Sequence, residues 1–238
     1  MGSDIAGIQL GLLEGFALTC DGQRVSLPLS AQRVLAFLAL HGRPLLRAFV
    51  AGSLWTDTTE RRAGANLRSA LWRLNLPGHR PVEATVTHVQ LRADVRVDLR
   101  RTEALARGIV DQQVRCDHLD FAEVSLAGDL LPDWYDDWVL IERERFHQLR
   151  LHALEVLCHQ LTSAGRYGQA IDAGLSAIAG EPLRESAHRA LICAYLAEGN
   201  PSEALRQYHA YHRLLHNQLG VLPSQQMEAL IRAGASRR

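Results

Sequence analysis

The chain contains no lysine. All 26 of its strongly basic residues are arginine, so every strong cation is a planar guanidinium with fixed donors, suited to forking onto carboxylates, phosphates and base edges. Cysteine is sparse. Cys20, Cys116, Cys158 and Cys193 lie far apart without a CxxC pair, which excludes a zinc knuckle or a disulfide lattice and fits reduced thiols in the cytoplasm. No apolar run approaches the ~20 residues of a membrane span, and the opening "MGSDIAG" lacks the basic-then-apolar order of an export signal. Phosphate loops, HExxH and GxSxG are missing, so no enzyme, cofactor or metal is expected. Net charge is missing too: 26 acids balance the 26 arginines, and bulk charge identifies no partner.

What is present is an apolar fraction of 47%, enough in 238 residues to fill one large or two modest cores. The charge is also unevenly spread. Residues 1–98 carry 11 arginines against 8 acids, and residues 99–238 carry 15 against 18, a mildly basic front and a mildly acidic back.

Along the front, "IQLGLLEGFALTCDGQRVSLPL" reads as short strands broken at Gly15 and at the hairpin signal Asp21-Gly22. From Ser30, a candidate cap, Val34, Leu35, Leu38 and Leu40 recur at helical spacing until Gly42 and Pro44. "RAFVAGSLW" predicts a second short helix. Thr58 or Thr59 can cap a third, which Pro77-Gly78 ends. "VEATVTHVQL" and "VRV" are β-branched and alternating, separated by the turn Arg92-Ala93-Asp94. Strands, three helices and a β-hairpin (Val82 to Leu91) make the winged helix-turn-helix order. After Asp98 the chain reads as helices: "DLRRTEALARGIV", a polar loop "DQQVRCDHLD", then a long helix entered through "GDLLPDWYDD".

The back half repeats. "AGRYGQAI" (164–171) returns as "EGNPSEAL" (198–205), aligning Gly165 with Gly199, Ala170 with Ala204, Leu157 with Leu191 and Leu161 with Tyr195, the 34-residue period of a tetratricopeptide. Gly165, Tyr167, Ala170, Ala177 and Pro182 supply its turns and its small packing residues. The second copy is looser, with Pro201, Tyr211 and His216 off the pattern. The expected fold is therefore mainly α with a small β component: a winged helix-turn-helix DNA-binding domain over 1–98, then an all-α tetratricopeptide-like helical repeat domain over 99–238.

The third helix, "RRAGANLRSALWRLN", has two dissimilar sides. At about 100° per residue, Ala63, Leu67, Ala70, Leu71 and Leu74 form one stripe. Opposite lie Arg62, Ala65, Asn66, Ser69 and Arg73, with Arg61, Arg68 and Trp72 on a shoulder. No acid occurs from Arg61 to Pro81, so the i,i+4 pairs of a merely solvated helix cannot form. Arg can fork onto guanine, Asn can pair with adenine, and small residues admit a helix to the major groove. The hairpin tip, near Thr85, Thr87 and His88, would lie along the backbone or minor groove.

"SAQRVLAFLALHGRPLLRAFVAGSLWTD…ANLRSALWRL" resembles the DNA-binding domain of the Streptomyces antibiotic regulatory proteins, related to the winged helices of response regulators. "GDLLPDWYDDWVLIERERFHQLRLHAL", "EPLRESAHRALICAYLAEGNPSEALRQYH" and "LGVLPS" resemble the bacterial transcriptional activation domain that follows it. The resemblance implies an activator that binds short direct repeats in promoter DNA as a head-to-tail homodimer, recruits RNA polymerase holoenzyme, and serves a secondary-metabolite cluster, in the cytoplasm with the nucleoid. Together with the helix's polar face it nominates Arg62, Asn66, Ser69 and Arg73 as base contacts and Arg33, Arg47, Arg61, Arg68, Trp72, Thr87 and His88 as backbone contacts. Two departures stand out: Asn75 where the family continues with arginine, and a wing without the usual Gly and aromatic. They leave a second reading open, a tetratricopeptide-type interaction protein whose winged helix no longer binds DNA.

Two further clusters have plain readings. His209, His212 and His216 share one helix face without an acid or thiol at ligand spacing, and read as a polar flank. Asp133, Asp136 and Asp137 read as caps of the long helix, with Trp134 and Trp138 anchoring it onto the repeat domain.

Overall fold

The computed structural model describes residues 7–114 and 128–235, with backbone alone for 234 and 235. It is mainly helical with two small sheets. It divides into two compact units, Met1–Arg101 with Gly128–Arg143, and Thr102–Ala127 with Glu144–Arg238.

In the first unit, β1 (Ile8–Gly11) pairs antiparallel with β2 (Ala17–Cys20), which turns into β3 (Gln23–Arg24). The turn is Asp21-Gly22, with φ of 47° and 77°, both positive as a two-residue hairpin whose twist matches its strands requires. Helix α1 (Leu29–His41) follows. It buries Ala31 and an unbroken run from Val34 to Ala39, more than one face, and Gly42 ends it at φ 64°. Its N-cap is Pro28, not Ser30, which lies inside the first turn. Strand β4 (Leu45–Leu46) leads into α2 (Arg47–Leu54), then α3 (Glu60–Arg73), the hairpin β5 (Val82–Ala84) and β6 (His88–Leu91), and β7 (Arg96–Val97). The sheets run β3-β2-β1-β7 and β4-β6-β5. Thus "VRV" leaves the hairpin and joins β1 in parallel, Gln9 opposite Arg96 and Leu10 opposite Val97.

The stretch 128–143 completes this unit. Leu131 N–H donates to the Leu12 carbonyl and Glu14 N–H to that of Asp129, both at 2.9 Å. Trp134 stacks on Phe16 at 6.1 Å, and Trp138 meets Phe37 edge-on at 5.2 Å. The expectation that these tryptophans anchor onto the repeat domain is corrected: their ring partners belong to the winged-helix unit. Arg143 holds the stretch in shape, donating to the Leu130 and Trp134 carbonyls at 2.7 Å and also to that of Leu131.

Helices α4 (Asp98–Val110) and α5 (Asp137–Ser163) each begin in the first unit and run into the second. There α6 (Tyr167–Gly180), α7 (Glu185–Glu198), α8 (Pro201–Leu219) and α9 (Gln225–Ala235) stack in sequence. Ala170, Ala173 and Ala177 of α6 and Ala187, Ala190 and Ala194 of α7 are fully buried in one cluster. A Cβ on Gly174 would sit 3.1 Å from that of Leu191, so the helices approach as closely as their smallest residues allow. The equivalent turn glycines Gly165 and Gly199 have φ of 73° and 89°. Tyr211, off the repeat pattern, is 2% exposed and stacks on buried His188 at 4.1 Å. Part of the predicted polar loop, from Arg115 onward and including Cys116, lies outside the described residues.

Candidate nucleic-acid interface

Helix α3 buries Ala63, Leu67 and Ala70, with Leu74 just beyond its end and Leu71 half-buried. That is the stripe its spacing requires. Thr59 is the N-cap, its carbonyl accepting from Ala63 N–H at 2.8 Å, but its hydroxyl makes no capping bond. Thr58 instead donates to the Trp55 carbonyl at 3.2 Å, closing the turn between α2 and α3. After α3, Leu76 and His79 bridge across the Pro77-Gly78 turn, which directs the chain into the wing.

The other side of α3 is open. Arg61, Arg62, Arg68, Ser69 and Arg73 are exposed, Asn66 is half-buried, and Trp72 is 74% exposed. Among the described residues none of the four guanidinium groups has an ion pair or a hydrogen bond, whereas Arg33, Arg92, Arg107, Arg184, Arg206 and Arg232 do pair with carboxylates. A hollow of about 590 Å³ opens between α2, α3 and the wing tip, floored by Ala51, Trp55 and Gly64 and edged by Arg47, Arg68 and Val86. Arg68 lies back over Gly64, 3.8 Å from where a Cβ there would stand, and so faces the wing side of α3.

The hairpin places Thr85, Val86, Thr87 and His88 at its tip, all exposed. Thr87 Oγ1 and His88 Nδ1 share a 2.9 Å hydrogen bond, and His88 N–H donates to Thr85 Oγ1 at 2.9 Å. Arg47 stands beside the tip and donates from Nη1 to the Thr85 carbonyl at 3.2 Å.

Arg33 is a correction. Its Nη2 pairs with Asp136 Oδ1 at 2.5 Å, both side chains about a quarter exposed, so the guanidinium proposed for a phosphate instead ties α1 to the start of α5. Neither helix alone reveals the pair, which spans 103 residues of sequence. Sequence reasoning also passed over Val86, 95% exposed between two nominated neighbours; its place at the middle of the hairpin loop was the available signal. It passed over Arg80 and Arg96 as well, exposed cations that border a second hollow at the base of the wing.

Among the described residues no helix is long and apolar enough to cross a membrane. The sequence pattern of the bacterial transcriptional activator domain matches residues 83–233. Regulatory protein AfsR of Streptomyces coelicolor is 26% identical over 234 residues, which are 94% of this chain but 24% of that protein. The chain thus spans about a quarter of the length of this curated relative. The structure of Mycobacterium tuberculosis EmbR in complex with a low-affinity phosphopeptide has a TM-score of 0.74 and 21% identity, covering 97% of this chain and 65% of that one, a likeness of fold. With more than half of its residues inside the matched pattern, the chain belongs to the bacterial transcriptional activator domain family.

Proposed function

We propose that the chain is a sequence-specific DNA-binding activator. In this reading α3 enters the major groove, with Arg62, Asn66, Ser69 and Arg73 on base edges. Arg61, Arg68, Trp72, Thr87 and His88 meet the sugar-phosphate backbone. Two copies sit head to tail on direct repeats in a promoter, and the helical second unit contacts RNA polymerase in the control of a secondary-metabolite cluster. The supporting observation is the face of α3: four guanidinium groups with no acid partner among the described residues, on a helix whose other side is fully committed to a core. A surface left cationic in a chain of zero net charge is a local feature, and phosphates complete it more cheaply than water does.

A salt titration of binding to duplexes from the upstream region of the protein's own gene tests this. Wild-type affinity should fall steeply with salt, and Arg68→Ala should lower the slope of log K against log salt by about one. Binding that does not respond to salt, or no binding at all, would favour the interaction-module reading.

A further inference from the structure

The wing of this protein is small. Strand β5 has three residues and β6 has four, too little for a free two-stranded hairpin to hold its shape. It is braced from outside. Strand β4 pairs with β6, Leu45 opposite Val89 and Leu46 opposite His88. The ladder then runs on into α2, because Arg47 N–H donates to the Thr87 carbonyl at 2.9 Å. The Arg47 side chain crosses the loop to the Thr85 carbonyl at 3.2 Å. One residue therefore grips the tip on both sides of Val86. Thr85 and His88 close the loop beneath it, Thr85 N–H donating to the His88 carbonyl at 2.9 Å.

Val86 itself touches almost nothing, at 95% exposure. A β-branched side chain has few rotamers to lose on contact, and here it stands on a loop already tied down. Arg47 is also the first residue of α2, whose Val50, Ala51 and Leu54 are buried where α2 packs on α3. The tip is thus referenced to the reading helix through α2.

We propose that Arg47 is a positioning residue that sets the distance between α3 and the wing tip, and that Val86 is the side chain with which the tip meets the minor groove. The proposal rests on the DNA-binding reading and deepens it. An apolar knob fits the deoxyribose walls and makes no hydrogen bond to the groove floor. The 2-amino group of a guanine beneath it projects from the groove floor into the space the valine would take, so A·T pairs are favoured there. Arg47 was nominated from sequence as a phosphate holder; as a strut its charge contributes little to affinity.

The experiment uses the full chain and a random-sequence duplex pool. Duplexes enriched by the wild-type protein become the probes, and their base preferences are compared among variants across a salt series. Arg47→Ala should bind about ten-fold more weakly, the order expected for one hydrogen bond and the order it imposes, with an unchanged salt slope. It should lose the A·T preference under the wing and keep the preferences under α3. Val86→Ala, at a site too exposed to affect folding, should lose the same A·T preference and about three-fold in affinity. A slope lowered by about one in Arg47→Ala with the wing preference intact would make Arg47 a phosphate contact and overturn the proposal. An unaltered preference in Val86→Ala would also overturn it. If the wild-type chain enriches no duplex, the DNA-binding reading itself fails and this inference falls with it.

Discussion

Arginine is used in two opposite ways in this lysine-free chain. On α3, Arg61, Arg62, Arg68 and Arg73 stand in solvent with no partner among the described residues. Elsewhere the same side chain is closed. Arg143 donates to three carbonyls, Arg33 pairs with Asp136, and Arg184 reaches both Glu155 at 2.5 Å and Gln148 at 2.9 Å. The difference lies in what each face of a helix is left to do. A closed guanidinium satisfies groups that folding would otherwise strand, and is part of the fold's stability. An open one contributes little to stability, and its donors remain available to a ligand.

Substitution should therefore separate the two classes. Arg143→Ala strands the part-buried Leu130 and Trp134 carbonyls, leaves that of Leu131 with the Trp134 N–H alone, and frees the stretch that carries Trp134 and Trp138. A loss of about 3 kcal/mol is expected, read in thermal or urea unfolding followed by tryptophan fluorescence. Arg184→Ala should cost about 2 kcal/mol, because Glu155, 9% exposed, keeps only the Ser186 hydroxyl, at 2.6 Å. If either variant is as stable as the wild type, the closed class is misassigned.

Arg73→Ala is the reverse case. Unfolding should stay within about 0.5 kcal/mol of wild type, while binding to an enriched duplex drops about 10- to 100-fold and relaxes selectivity at one base pair. A destabilised Arg73→Ala with unchanged binding would move Arg73 into the other class.

The open class was legible in the sequence and the closed class was not, for a physical reason. The face of α3 follows from a 3.6-residue period over 14 residues and from an acid-free run, both local properties. The Asp21-Gly22 turn and the two repeat glycines are local as well: each must adopt positive φ, and the residue type says so. Arg33 looks the same as Arg62 until Asp136 arrives from 103 residues away. Trp134 and Trp138 announce a buried contact without naming its surface. Likewise "VRV" is a strand by composition, but only tertiary packing chooses β1 over the hairpin as its neighbour. Arg47 falls between the classes, because its guanidinium makes an exposed hydrogen bond to one backbone carbonyl, a partner to which sequence patterning is blind.

The second unit carries the contrast down to a single titrating group. His188 is 3% exposed, with Nε2 donating to the Pro182 carbonyl and Nδ1 accepting from Gln207 Nε2, both at 2.9 Å. Both nitrogens are committed, and the ring is held neutral. Burial pushes its pKa below the ordinary 6.5, against a smaller upward pull from the Pro182 carbonyl and Glu185. The unfolded chain then binds a proton that the folded chain refuses, between the folded value and about pH 6.5. Stability is fully present above that window and declines as pH falls through it, by at most about 1.4 kcal/mol per pH unit. His188→Phe keeps a ring against Tyr211 and has no proton to take up. It should be less stable than wild type at neutral pH, with the difference narrowing as the solution is acidified. A difference independent of pH across that window would mean that the imidazole protonates as readily folded as unfolded, and would place His188 with the open groups of α3.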